Sequence, residues 1–187
     1  MAFAPDVTWL RQVHGAEVVV VTRPAEHAGA AADAAVTNVP GCKLAIRTAD
    51  CAPVVLTGDG AVGVAHAGWR GVQAGVLQAT VGAMRGLGVQ GPITASIGPC
   101  IHAECYEFGA RDLATVAGRY GAAVRGVTSA GRPALDVRAA VTAALAEAGV
   151  VEVLDDHPCT ACAEDRYFSH RARGDAGRFA TIAWLEP

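Results

Sequence analysis

A thiol and an imidazole stand at the outer ends of two apolar runs. Cys51 follows "RTAD" and leads into Ala52–Thr57, and His66 closes Ala61–His66. Between the runs lies "TGDGA", whose Asp59 and Gly60 form the turn signal of a two-stranded hairpin. In a hairpin the far ends of the strands meet, so Cys51 and His66 are expected to be neighbours. Such a pair has two chemical uses. It can be a thiolate nucleophile with a histidine base. It can also supply sulfur and nitrogen ligands to a metal, with one further ligand completing a zinc site that keeps an open position. A buried cysteine packing as a small hydrophobe beside a hydrogen-bonded histidine is the competing structural reading.

Other residues widen the choice. His14 in "QVHG" precedes an apolar run and is a candidate third ligand, but spacing alone does not separate it from His102 or His157. His102–Glu104 ("HAE") and Pro158–Cys162 ("PCTAC") together spell the signature of zinc nucleobase deaminases. In that fold both halves open helices close together in the chain. Here a predicted helix and a strand come between them. Cys100, Cys105, Cys159 and Cys162 could form a four-thiolate structural zinc site, with simple packing as the alternative. Arg70, Arg47 and Arg171 are candidate anion binders. Arg70 sits where a strand passes through "GWRG" into a predicted helix, a place where phosphate could meet a guanidinium and backbone N–H groups. Trp69 beside it reads as a core plug or an aromatic wall.

The elements that must hold these residues follow from period and punctuation. Strands are predicted over Glu17–Thr22, Lys43–Thr48, Ala52–Thr57, Ala61–His66, Ile93–Ile97, Val150–Leu154 and Phe179–Trp184. Helices are predicted over Gly71–Leu87, Gly109–Arg119 and Asp136–Ala148. In the last of these, Asp136 caps the start and Gly149 ends it. Hairpins mixed with helices indicate an α/β chain of the α+β type, with mixed β-sheet layers and flanking helices. The 187 residues, 52% of them hydrophobic, suit one domain. A net charge of −3 argues against a nucleic-acid partner. No apolar run approaches the ~20 residues of a membrane span. The first residues carry no secretion signal, so a cytoplasmic protein with reduced thiols is expected.

The ordered set "QVHG", "ADAAVTN", "TADCAPV", "AHAGWRG", "IGPCI…CYEFG" and "CTAC…YFSHR…GRFATIAWL" closely resembles the YfiH family. This family carries the labels laccase-domain protein, polyphenol oxidase and peptidoglycan editing factor. It also includes the vertebrate laccase-domain purine enzyme. The resemblance runs from about Trp9 to Leu185. It implies one domain over residues 1–187, similar to the catalytic domain of cytotoxic necrotizing factor toxins, with the family's usual N-terminal segment absent. A sheet edge exposed there is one that a partner subunit could cover in a homo-oligomer. The resemblance also implies a metal site of His14, Cys51 and His66. Zinc is the expected ion and copper is compatible. A multicopper cluster is not, because the six histidines include no His-x-His pair.

The implied activity is phosphorolysis of adenosine, inosine, guanosine and methylthioadenosine, together with deamination of adenosine. Its substrates would be a nucleoside and phosphate. Cys51 and His66 then belong to the catalytic centre, Asp50 is a candidate proton carrier, and Arg70 is the first choice for phosphate, with Arg47 and Arg171 beside it. Two alternatives stand. One is an amidase-like hydrolase that edits a peptidoglycan precursor with Cys51 and His66. The other is a metal-binding protein without catalysis.

Overall fold

The computed structural model describes residues 3–187. Among the described residues, eleven strands and five α-helices form a layered α+β structure. The strands are β1 (Val7–Trp9), β2 (Val18–Val20), β3 (Ala34–Thr37), β4 (Lys43–Thr48), β5 (Ala52–Gly58), β6 (Ala61–Ala67), β7 (Thr94–Ile97), β8 (Arg125–Val127), β9 (Pro133–Leu135), β10 (Glu152–Leu154) and β11 (Phe179–Ala183). The helices are α1 (Trp69–Ala74), α2 (Val76–Gly86), α3 (Ala110–Tyr120), α4 (Val137–Glu147) and α5 (His170–Arg173). A six-stranded sheet in the order β10-β7-β5-β6-β3-β2 forms the middle layer. A three-stranded sheet, β1-β4-β11, packs on one of its faces, and helices cover the other. Among the described residues, no helix is long and apolar enough to cross a membrane.

The period-2 geometry of β6 explains the layering. Ala61, Ala65 and Ala67 face the helices, where they join Val76, Leu77 and Met84 of α2 in one core. Val62 and Val64 face the small sheet and meet Leu44 and Ile46 of β4. Small residues on the helix side let α2 approach closely. A Cβ on Gly63 would lie 3.1 Å from Val36, 3.2 Å from Thr80 and 3.4 Å from Met84.

The hairpin expected from Asp59 and Gly60 is present, with β5 antiparallel to β6 and Gly60 at φ 69°. Asp136 caps α4, its carboxylate accepting the Ala139 N–H at 2.9 Å. Two expectations need correction. The helix predicted over Gly71–Leu87 starts at Trp69 and breaks at Gly75, whose φ of 93° ends α1 and starts α2. Strands β1, β3, β8 and β9 were not expected. They are only three or four residues long, too short to display a clear period.

Two glycine substitutions test this packing in opposite directions. Gly63→Val overpacks the α2–β6 contact and is expected to cost about 1–3 kcal/mol in urea denaturation. Gly82→Ala, on an exposed face of α2 with nothing near its Cβ position, is expected to add about 0.5–1 kcal/mol.

Candidate functional site

The site grows from one buried carboxylate, Asp33, just ahead of β3. Ala34 pairs with Ala65 across the β3–β6 ladder, which sets Asp33 opposite His66. The His66 N–H donates to the Asp33 carbonyl at 2.7 Å. The His66 ring places Nδ1 2.8 Å from Asp33 Oδ1. The same carboxylate accepts the N–H groups of Val13 at 3.0 Å, His14 at 2.9 Å and Gly15 at 2.8 Å. These three N–H groups wrap Asp33 because His14 adopts a left-handed φ of 60°. Hydrogen bonds from this nest and from His66 overcome the effect of burial and hold the Asp33 carboxyl below its usual range.

Asp33 therefore aims both histidines. Their rings meet edge to face, with centroids 4.7 Å apart. With Nδ1 of His66 engaged, Nε2 is the nitrogen left to ligate. Cys51 enters from β5, where Ala52 pairs with Ala67 and Pro53 with His66. Its Sγ lies 3.9 Å from His14 Nε2. Donor atoms of His14, Cys51 and His66 all fall within 4.8 Å of one another. Gly68 makes the convergence sterically feasible, since a Cβ there would lie 2.9 Å from His14 Cδ2 and 3.0 Å from Cys51 Sγ. A sulfur and two imidazole nitrogens in this arrangement fit a single zinc-type ion with one position open.

Charge coupling within the trio is strong. Burial pushes the Cys51 thiol up, but hydrogen bonding to His14 and His66 and their charge outweigh it and bring the thiol down to about 6. Burial works against a charged His66, yet its bonds to Asp33 and Cys51 hold the ring up at about 9. The opposite directions of the two shifts favour a thiolate beside an imidazolium. A cation must displace the His66 proton to bind.

The trio opens into a cavity of about 390 Å³, within the ~300–1,000 Å³ range of small-molecule sites. Its walls include Asp50, Tyr106, Arg47, Arg171 and Arg178. Gln12 anchors the strand beneath it, its side-chain amide pairing with both the N–H and the carbonyl of Arg47. The Arg171 Nη1 donates to the Glu107 carbonyl at 2.7 Å, and its guanidinium lies 4.6 Å from the Tyr106 ring centroid. Burial and the nearby Cys51 charge push the Tyr106 hydroxyl up to about 12, so it stays protonated.

Arg70 is not among the residues lining this cavity. It is exposed and lies over the Trp69 ring at 4.4 Å, and α1 is only six residues long. Trp69 packs edge to face on Phe108 at 5.3 Å, against the core. Asp50 does line the cavity, but its carboxylate is engaged. One oxygen accepts the Thr160 hydroxyl at 2.8 Å and the other the Arg171 N–H at 2.7 Å. Asp50 thus ties the C-terminal segment to the wall, at a left-handed φ of 93°.

Sequence reasoning passed over Asp33, Gln12, Tyr106 and Arg178. Asp33 had a usable signal: a charged residue leading a run of buried apolar residues must find partners inside. The other three are gathered by loops distant in sequence.

Fold and site together define a layered α+β protein with a His–Cys–His cluster of metal-binding geometry at the end of a hairpin. The family model described as multi-copper polyphenol oxidoreductase laccase matches residues 1–186, and the chain belongs to that family, the YfiH family. It is 44% identical to the purine nucleoside phosphorylase ORF3 of Streptomyces griseus, over 96% of this chain and 74% of the relative. It is 42% identical to a purine nucleoside phosphorylase of Xylella fastidiosa, over 95% and 71%. Among solved structures, YfiH of Bacillus licheniformis superposes with a TM-score of 0.87 at 28% identity, covering 97% of this chain and 75% of that one. YlmD of Geobacillus stearothermophilus gives 0.87 at 30%, covering 98% and 74%. The family's multi-copper description does not suit this donor set, which holds two histidines where a copper cluster needs many.

Two outcomes test the site. Asp33→Asn removes the charge that aims both histidines and is expected to weaken zinc binding about 10–100-fold in a competition titration. In metal-free protein, alkylation of Cys51 by iodoacetamide, followed by peptide mass, is expected to rise with a midpoint near pH 6. In His66→Ala the cationic partner is gone, burial dominates, and the midpoint should climb by at least about one unit.

Proposed function

We propose that this protein is a zinc-dependent purine nucleoside phosphorylase acting on adenosine, inosine, guanosine and methylthioadenosine, and that the same site deaminates adenosine. The observation that carries this reading is one cavity shared by a His–Cys–His metal cluster and three guanidiniums. The names of its relatives support the reaction class.

In phosphorolysis a phosphate oxygen bonds to C1′ of ribose while the bond from C1′ to the base nitrogen breaks. That electron pair leaves with the base, which takes up a proton, and ribose 1-phosphate remains. The phosphate dianion needs fixed cations. Arg171 and Arg178 suit this task because their guanidiniums hydrogen-bond backbone carbonyls, Glu107 for one and Asp175 and Gly177 for the other. Arg47, over the Trp9 ring at 5.5 Å, adds a third positive charge. The Tyr106 hydroxyl is a donor at neutral pH and can bond the sugar or the departing base. His14, Cys51 and His66 would hold the metal. When bound, zinc supplies Lewis acidity and an open position at which water is activated, the chemistry that deamination requires. Asp50 works through position, since its bonds to Thr160 and to the Arg171 N–H keep that wall in place.

A second reading rests on the depressed Cys51 thiol beside His66. In a metal-free protein the pair would suit a thiol hydrolase acting on a cell-wall precursor.

Zinc-loaded protein incubated with adenosine and phosphate is expected to release adenine, and inosine by deamination. Cys51→Ala should lose the ion and both products. Arg171→Ala should raise the KM for phosphate about 10–100-fold. Bound zinc with no purine product would refute the proposal. A metal-free active protein inactivated by alkylation of Cys51 would favour the thiol hydrolase.

A further inference from the structure

A second sulfur cluster lies outside this cavity's chemistry. Cys105 ends a short 3₁₀ turn, Ala103–Cys105, after β7. Cys159 and Cys162 close a turn in the C-terminal segment, in which the N–H groups of Cys162 and Ala163 both return to the Cys159 carbonyl, at 3.2 and 3.0 Å. The three Sγ atoms lie within 4.8 Å of one another, and Cys105 and Cys162 are 3.4 Å apart. For comparison, two thiolates on a tetrahedral zinc with Zn–S near 2.3 Å are separated by about 3.8 Å.

Two further features point to a ligand. The His102 backbone N–H donates to Cys159 Sγ at 3.3 Å, the kind of bond that supports a metal-bound thiolate. A His102 ring nitrogen also lies within 4.8 Å of Cys159 Sγ, with its Nδ1 3.5 Å from Glu104, so an imidazole and a carboxylate stand beside this one thiol. Both halves are braced. Ser129 holds the Glu104 carbonyl through its N–H at 3.0 Å and its hydroxyl at 3.2 Å. Arg173 grips the carbonyls of Ala161 and Tyr167 at 2.9 and 2.7 Å.

We propose that Cys105, Cys159 and Cys162 bind a second, structural zinc ion, with its fourth position on the Cys159 side, where the His102 ring and Glu104 lie. The four-thiolate set read from the sequence is corrected here: Cys100 is buried in the main core and does not join the cluster. The "HAE" and "PCTAC" motifs do meet in space, but in a turn and a loop instead of at two helix starts, and Cys105 supplies a third sulfur. The ion cross-links the loop after β7 to the segment that carries Thr160 and Arg171. Both of these hold Asp50 at the cavity wall. The second ion therefore stabilises the face that presents Arg171.

Zinc is counted by elemental analysis of protein purified under reducing conditions and freed of loose metal. Wild type is expected to carry one more equivalent than Cys162→Ser, and Cys105→Ser should match Cys162→Ser. Cys162 is exposed, so its substitution should leave the fold intact. Cys51→Ala should retain this equivalent, which separates the test from the fate of the first site. Loaded with cobalt, wild type and Cys51→Ala should both show strong sulfur-to-cobalt charge-transfer absorption that Cys162→Ser largely loses. A chelator should lower the Tm of Cys51→Ala but not that of the Cys51→Ala, Cys162→Ser double variant. Equal zinc in wild type and Cys162→Ser would overturn the proposal. So would a Cys105–Cys162 disulfide in freshly trapped protein, seen as the loss of two hydrogens.

Discussion

Everything at the candidate site depends on four N–H donors converging on the Asp33 carboxylate. Three come from the backbone of Val13, His14 and Gly15, and one from the His66 ring. A buried carboxylate left short of partners would be costly, and here none of its strong acceptor capacity is wasted. The donors come from two distant stretches of chain. By satisfying Asp33 they bring the two histidines to a fixed separation. The left-handed backbone at His14 is strained for a non-glycine residue, and the Asp33 bonds are what hold it there. Cys51 then needs only the β5–β6 register and the missing side chain at Gly68 to arrive beside them.

A second carboxylate organises the opposite wall. Asp50 also sits at positive φ, and it ties together three pieces: its carbonyl accepts the Ile101 N–H at 2.9 Å, and its side chain holds Thr160 and Arg171. The cavity is thus closed by polar bonds between loops around the His14, Cys51 and His66 side chains, of which His66 lies on β6, Cys51 just ahead of β5 and His14 in the loop before β2. This arrangement suits a binding site, since the β5–β6 hairpin positions Cys51 and His66 while loops shape the pocket. The chain's thiols divide as well. Cys51 is drawn down to about 6 by two histidines, whereas burial and its neighbours Cys162 and Cys159 push Cys105 up to about 12.

Much of the frame was legible in the residues. The Asp59–Gly60 turn between two apolar runs was enough to set Cys51 near His66, because a hairpin's register is dictated by its turn. The cap at Asp136 and the strand Lys43–Thr48 were equally plain. Short strands escaped notice, and so did the break at Gly75, where the apolar period of the two helices runs on across the left-handed residue. Arg70 shows the limit of local reasoning. Its place after a strand suggested a phosphate contact, and in the fold its guanidinium lies over the Trp69 ring, off the cavity lining. Arg47 and, from a stretch far along the chain, Arg171 and Arg178 line the cavity.

By itself the sequence determined the family, the layered α+β class and the pairing of Cys51 with His66, since all three rest on motif order, composition and local register. The resemblance implies His14 as the third residue, and the tertiary structure brings it beside the other two. Spacing could not choose among His14, His102 and His157, because His14 is brought there by Asp33, a residue just ahead of β3 that bonds His14 and His66 at once. Only the tertiary structure decided which arginines face the cavity and that Cys105 meets Cys159 and Cys162. Such long-range contacts are set by how the layers stack, and no local pattern of residues encodes them.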